Sequence, residues 1–84
     1  MRKTLFIDLD GTLVIHNYDP VNTEDVFLPG TLDFLINAKN SNYYCILTTN
    51  RSLQNCLNVL ERLNHDISFK FDKLLFDLPV GIRI

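Results

Sequence analysis

Short apolar runs and helical stripes alternate along the chain, separated by polar clusters. Residues 3–8 read as a buried strand, because Leu5, Phe6 and Ile7 form one continuous apolar run. It ends in the polar turn Asp8-Leu9-Asp10-Gly11-Thr12. Residues 13–28 are irregular, with Asp19-Pro20 and scattered polar positions, and predict a small flap or hairpin that packs through Val14, Ile15, Val26 and Phe27. Pro29-Gly30-Thr31 opens a helix with Thr31 as its cap, and Leu32, Leu35, Ile36 and Lys39 share one face. Asn40-Ser41-Asn42 stops it.

Residues 43–47 predict a second strand, rich in aromatic and β-branched side chains. The polar loop Thr48-Thr49-Asn50-Arg51 follows, and Ser52 caps a second helix. Leu53, Cys56, Leu57, Leu60 and Leu63 recur there at helical spacing, and Asn64-His65-Asp66 ends the pattern. Residues 73–76 form a third strand candidate and residues 82–84 the start of a fourth. Strands alternating with helices predict an α/β fold with parallel pairing and right-handed crossovers. The continuous apolar strands predict a sheet covered on both faces.

The 84 residues suit one small domain, spanning 1–84 and incomplete at its C-terminal end. At 46% apolar and 21% charged residues, the chain is not disordered. A net charge of −2, with both signs interspersed, offers no basic stripe, so nucleic acid and anionic membrane are not expected partners. The N-terminal apolar stretch is cut short by Asp8, which predicts a cytoplasmic protein rather than an exported one. Cys45 and Cys56 lack metal or redox spacing and read as reduced core thiols. His16 and His65 read as loop residues, and Glu24 and Asp25 as a solvated acidic pair.

Two polar clusters directly follow the first two strands, Asp8/Asp10 and the 48–51 loop. In an open α/β sheet ligands bind outside the carboxyl ends of the strands, so both clusters face one crevice. Paired carboxylates invite a divalent cation, and Mg2+ suits them because it takes oxygen ligands and keeps substrate phosphates. Asp8 would be the nucleophile on phosphorus, and Asp10 the acid and then the base, with both as metal ligands. The backbone around Leu9, Gly11 and Thr12, with Thr49, Asn50 and Arg51, would bind the phosphate. An EF-hand does not fit: with Asp8 at position 1 its glycine belongs at position 6, where Leu13 stands.

The segment Phe-Ile-Asp8-Leu-Asp10-Gly11-Thr12-Leu-Val resembles the first motif of the haloacid dehalogenase (HAD) superfamily. Leu47-Thr48-Thr49-Asn50-Arg51 resembles its second motif, with Thr49 as the functional threonine. The resemblance spans nearly the whole chain. It implies a Rossmann-like sheet, magnesium dependence and a two-step phosphatase mechanism through an aspartyl-phosphate. The short flap resembles the small, capless members, some with sugar-phosphate roles, which implies a small phosphorylated metabolite as substrate.

Two departures bear on activity. For the third-motif cation only Lys70, Lys73 and Arg83 are candidates, and the fourth-motif acid is expected beyond residues 82–84, with Asp77 a poor substitute. The sequence therefore also admits a non-catalytic remnant that binds metal or phosphate weakly. It admits as well a homo-oligomer in which a second copy supplies the missing strand and acid.

Overall fold

The computed structural model describes residues 2–15 and 25–79. In chain order its elements are β1 (Thr4–Asp8), α1 (Thr31–Asn40), β2 (Tyr44–Thr48), α2 (Leu53–Ile67) and β3 (Lys73–Leu75). The three strands form one parallel sheet in the order β1-β2-β3. This is the α/β, Rossmann-like arrangement expected from the alternation of strand and helix patterns. Residues 82–84, where a fourth strand was expected, lie outside the described residues.

β2 begins and ends one residue later than expected. The reason lies in the cap of α1. Ser41, Asn42 and Tyr43 donate their N–H groups back to the carbonyls of Asn37, Lys39 and Ala38, with Asn42 in the left-handed region at φ 62°. Tyr43 therefore belongs to the helix cap, and Thr48 joins the ladder opposite Asp8.

α1 is capped by Gly30, not Thr31. Gly30 sits at φ 82°, a conformation glycine reaches without steric cost. Thr31 is the first helical residue, is buried, and donates its hydroxyl to the Leu13 carbonyl at 2.9 Å. That bond fixes the helix start to the chain leaving β1. Lys39 is exposed, not on the core face; its Nζ donates to the Ser68 carbonyl at 2.8 Å, and Ala38 fills the core position.

α2 is capped by Ser52 as expected, its side chain accepting from the Asn55 N–H. The helix runs through Asn64-His65-Asp66 to Ile67, because those polar residues lie on its outer side while Ile67 still packs inward. The inward stripe is Cys56, Val59, Leu60, Leu63 and Ile67. Leu53 and Leu57 are exposed, and Val59 occupies the core place expected of them.

The helices gather against one face of the sheet. Leu5, Ile7, Cys45, Leu47 and Leu74 cluster there with Leu35, Ala38, Cys56, Val59 and Leu63. The opposite face carries Phe6, which is 69% exposed, beside the buried Ile46, so among the described residues that face is only partly covered and the helix-side cluster does not reach it.

The flap is a hairpin at its base. Val14 pairs with Phe27 across an antiparallel bridge, and Ile15 donates to the Val26 carbonyl at 2.8 Å. Val14 is fully buried, whereas Ile15 and Val26 face solvent rather than the core. Residues 16–24, with His16 and Glu24, lie outside the described residues. Among the described residues no helix is long and apolar enough to cross a membrane.

Candidate active site

Parallel pairing brings the ends of β1 and β2 level, with Asp8 and Thr48 as direct partners. The Thr48 hydroxyl donates to Asp8 Oδ1 at 2.7 Å. A bond to an ionised carboxylate is about twice as strong as a neutral one, so it fixes the rotamer of Asp8. Thr49, the residue singled out in the sequence, does not share this contact. Its side chain is buried and its Oγ1 accepts from the Arg51 N–H at 3.1 Å, shaping the loop into α2. The next strand holds it from the other side, through a 3.0 Å bond from its N–H to the Leu75 carbonyl.

The turn after β1 closes on itself. The N–H groups of Thr12, Leu13 and Val14 all converge on the Leu9 carbonyl, and the Gly11 N–H donates to the Val14 carbonyl at 2.8 Å. Gly11 adopts φ 78°, which the reversal requires. The Gly11 and Thr12 N–H groups are thus engaged within the turn rather than pointed together at a phosphate. Leu9 is buried and serves the core through its side chain. Thr12 and Asn50 are exposed.

Arg51 organises the rest of the site. Its Nε and Nη2 donate to the two oxygens of Asp10, the Nε bond at 3.0 Å. Its Nη2 and Nη1 donate to the two oxygens of Asp25, both at 2.9 Å, and Nη1 also reaches the Asn55 carbonyl at 3.3 Å. A guanidinium carries five N–H donors, and here all five are engaged. In this arrangement every donor of Arg51 is committed within the protein.

Asp25 is likewise not a solvated acid. Its side chain is only 15% exposed, and its backbone carbonyl accepts from Arg62, whose guanidinium stacks 4.5 Å from the Phe27 ring centroid. The bonds to Asp25 and then to Asp10 push the Arg51 pKa further above its ordinary value, so the side chain stays charged. Two carboxylates against one guanidinium leave the cluster at −1. Cys56 lies close by, and burial pushes its thiol above its ordinary value, with Asp10 and Asp25 adding to the shift.

The other candidates sit elsewhere. Lys73 opens β3 opposite Ile46, two positions short of Thr48. Lys70 is further back, lining a cavity of about 480 Å³ with Arg2, Lys39, Tyr43 and Asp72 at the amino ends of the strands. Neither lysine is at the Asp8 end, because parallel strands place residues before β3 at the opposite edge. Asp77 does reach that end: its N–H donates to the Arg51 carbonyl at 2.9 Å, with φ 53°. Arg83 lies outside the described residues.

Residues 5–71 match the family model of haloacid dehalogenase-like hydrolases. The chain belongs to that family. No curated protein and no solved structure matches it.

Members of this hydrolase family generally use magnesium, so the donors here can be tested against that ion. Magnesium is held by one or two carboxylates, with water and substrate phosphate completing its shell. Asp8, a carboxylate at an open strand end, fits that chemistry. Asp10 fits through the lone pairs that its two oxygens keep beside their bonds to Arg51. Among the described residues no group of three or more His, Cys, Asp or Glu side chains stands together as a ready ligand set.

Thr48 and Asp25 are the site residues that sequence reasoning passed over. For Thr48 a signal existed: extending β2 by one residue would have put its side chain level with Asp8. For Asp25 there was none, since its role depends on where the far end of the flap returns.

Proposed function

We propose that this HAD-like hydrolase is a magnesium-dependent phosphomonoesterase with Asp8 as its nucleophile. The observation that carries the reading is the Thr48–Asp8 bond at the carboxyl end of the sheet, with Asp10 two residues on. The bond orients the Asp8 carboxylate, and a second carboxylate stands two residues on.

In the first step an Asp8 oxygen attacks phosphorus as the ester P–O bond breaks. The bonding pair leaves with the ester oxygen, which takes a proton from Asp10 and departs as an alcohol. In the second step water attacks the phosphorus of the aspartyl-phosphate and gives a proton to Asp10. The P–O bond to Asp8 breaks, and inorganic phosphate is released. Magnesium held at Asp8 would supply positive charge against the phosphoryl oxygens. Thr12 and Asn50, both exposed, are the further residues this reading assigns to the substrate.

The substrate in this reading is a small phosphorylated metabolite such as a sugar phosphate, in keeping with the short excursion between Asp8 and Thr31. A cytoplasmic setting accords with two reduced, buried cysteines. Nucleic acid is not part of the reading, because the chain is mildly acidic.

A second reading, a non-catalytic remnant, is favoured by one observation: Arg51 covers both oxygens of Asp10. Hydrolysis of p-nitrophenyl phosphate with and without magnesium separates the two. The enzyme turns it over only with the metal, and Asp8→Asn abolishes the rate. A folded wild-type chain that releases no phosphate from any ester establishes the remnant.

A further inference from the structure

The cavity of about 480 Å³ lies at the amino ends of the strands, opposite the end that carries Asp8, and plays no part in the reaction above. A volume of that size accommodates a small organic molecule. Its lining carries three cations, Arg2, Lys39 and Lys70, against one carboxylate, Asp72. This local excess of positive charge stands in a chain whose net charge is −2.

The cations have structural duties that fix them without exhausting them. Asp72 Oδ2 accepts from the Cys45 N–H at 2.8 Å and from Arg2 Nη2 at 3.4 Å. Arg2 Nε and Nη2 donate to the carbonyls of Asn42 and Tyr43, and Lys39 Nζ to that of Ser68. These bonds answer the carbonyl ends of α1 and α2, which finish here. A guanidinium has five N–H donors and an ammonium three. Among the described residues Arg2 Nη1 has no protein acceptor, Lys39 uses one donor, and Lys70 uses none. The oxygens at the cavity keep lone pairs, yet the charge left unmatched is positive. Asp72 pairs with Arg2, and neither Lys39 nor Lys70 has a carboxylate partner among the described residues.

We propose that this cavity binds a phosphate dianion, free or carried on a small polar metabolite. A phosphate group brings up to two negative charges and three acceptor oxygens, which match the two unpaired ammonium groups and the open Nη1 of Arg2. Asn42, Asn64 and Ser68 supply neutral polar lining for the rest of an esterified ligand. The ligand bridges the N-terminal segment, the ends of both helices and the stretch leading into β3, so occupancy stabilises the fold. This inference does not depend on the phosphatase reading.

The test is a titration of the isotope-labelled full chain, without magnesium, followed by NMR amide shifts. Sodium phosphate, 2-glycerol phosphate and sodium chloride are compared at matched ionic strength. Both phosphates should move the amides of Asn42, Ser68 and Lys70 along saturating curves, and chloride should not. A tighter curve for the ester assigns the site to phosphorylated metabolites; equal curves assign it to the free ion. Lys70→Gln, a change at an exposed position, should raise Kd at least about tenfold, the equivalent of one charged hydrogen bond. Arg2→Gln/Lys70→Gln should abolish saturation, and the same spectra show that each variant is folded.

Shifts that grow linearly, that chloride reproduces, or that keep the wild-type Kd in Lys70→Gln overturn the proposal. Shifts confined to residues 8–12 overturn it as well, by placing the phosphate at the other end of the strands. Magnesium-dependent turnover is measured separately, so failure here leaves the phosphatase reading intact, and a chain without turnover leaves this site standing.

Discussion

Thr48 and Asp8 face each other across the first two strands, 2.7 Å apart from hydroxyl to carboxylate. The relationship follows from register alone: parallel pairing makes them direct partners, so their side chains emerge on the same face of the sheet. Neighbouring Thr49 therefore emerges on the other side, where it is buried in the loop that starts α2.

This separation makes the two threonines distinguishable by substitution. Hydrogen bonds to charged groups contribute about 1.5–3 kcal/mol, so Thr48→Val should lower kcat by roughly 10- to 150-fold. Thr49→Val instead removes a loop-shaping acceptor and should cost about 1 kcal/mol of stability. Its kcat on p-nitrophenyl phosphate should change little. Paired kinetics and urea denaturation check this, and the reverse pattern would assign the phosphate contact to Thr49.

The buried thiols set an alkaline limit. Burial is the main cause holding both Cys45 and Cys56 above their ordinary value of 9.0 in the folded chain. Below 9.0 both states keep the protons and stability is unaffected. As pH rises past it, the unfolded chain releases protons that the folded chain retains, and stability falls. For two thiols the slope approaches about 2.7 kcal/mol per pH unit until the folded thiols also ionise. Urea midpoints between pH 8 and 10 should drop more steeply for wild type than for a Cys45→Ala/Cys56→Ala variant. Equal slopes would mean that the thiols are not protected.

The two sides of α2 should respond differently to truncation. Val59 is buried in the core cluster, while Leu57, two residues earlier, is 43% exposed. Removing buried methyl groups leaves a cavity, so Val59→Ala should cost at least about 1 kcal/mol, and Leu57→Gln should stay within about 0.5 kcal/mol. In a domain of this size 1 kcal/mol moves Tm by about 4–8 °C, which calorimetry resolves readily.

That contrast also shows what the sequence could and could not reveal. Strand and helix order was legible, because Leu5-Phe6-Ile7 and the α2 stripe obey periods that local geometry imposes. The Asp8/Asp10 turn was legible because its composition and position after a strand are both local. What was not legible depends on tertiary placement. Leu53 and Leu57 match a helical pattern as well as Val59 does, and only the sheet decides which side turns inward. Asp25 looks like any surface acid until the hairpin carries it to Arg51. Lys70 and Lys73 looked available as site cations until the direction of β3 put them at the wrong end.

Arg51 joins three stretches of chain: the turn at Asp10, the returning flap at Asp25 and the first turn of α2 at Asn55. Two of these contacts span 41 and 26 residues. Pairing of β1 with β2 closes a loop of the same size, but the Arg51 cluster is built on residues just beyond the paired ends of those strands, so it belongs late in folding, once they have met. In a kinetic chevron Arg51→Met should steepen escape from the native state while barely slowing its formation. Breaking this enclosed ion cluster should cost about 3 kcal/mol, so almost the whole loss would appear as faster unfolding. The guanidinium would then set how long the native state lasts rather than how quickly it is reached.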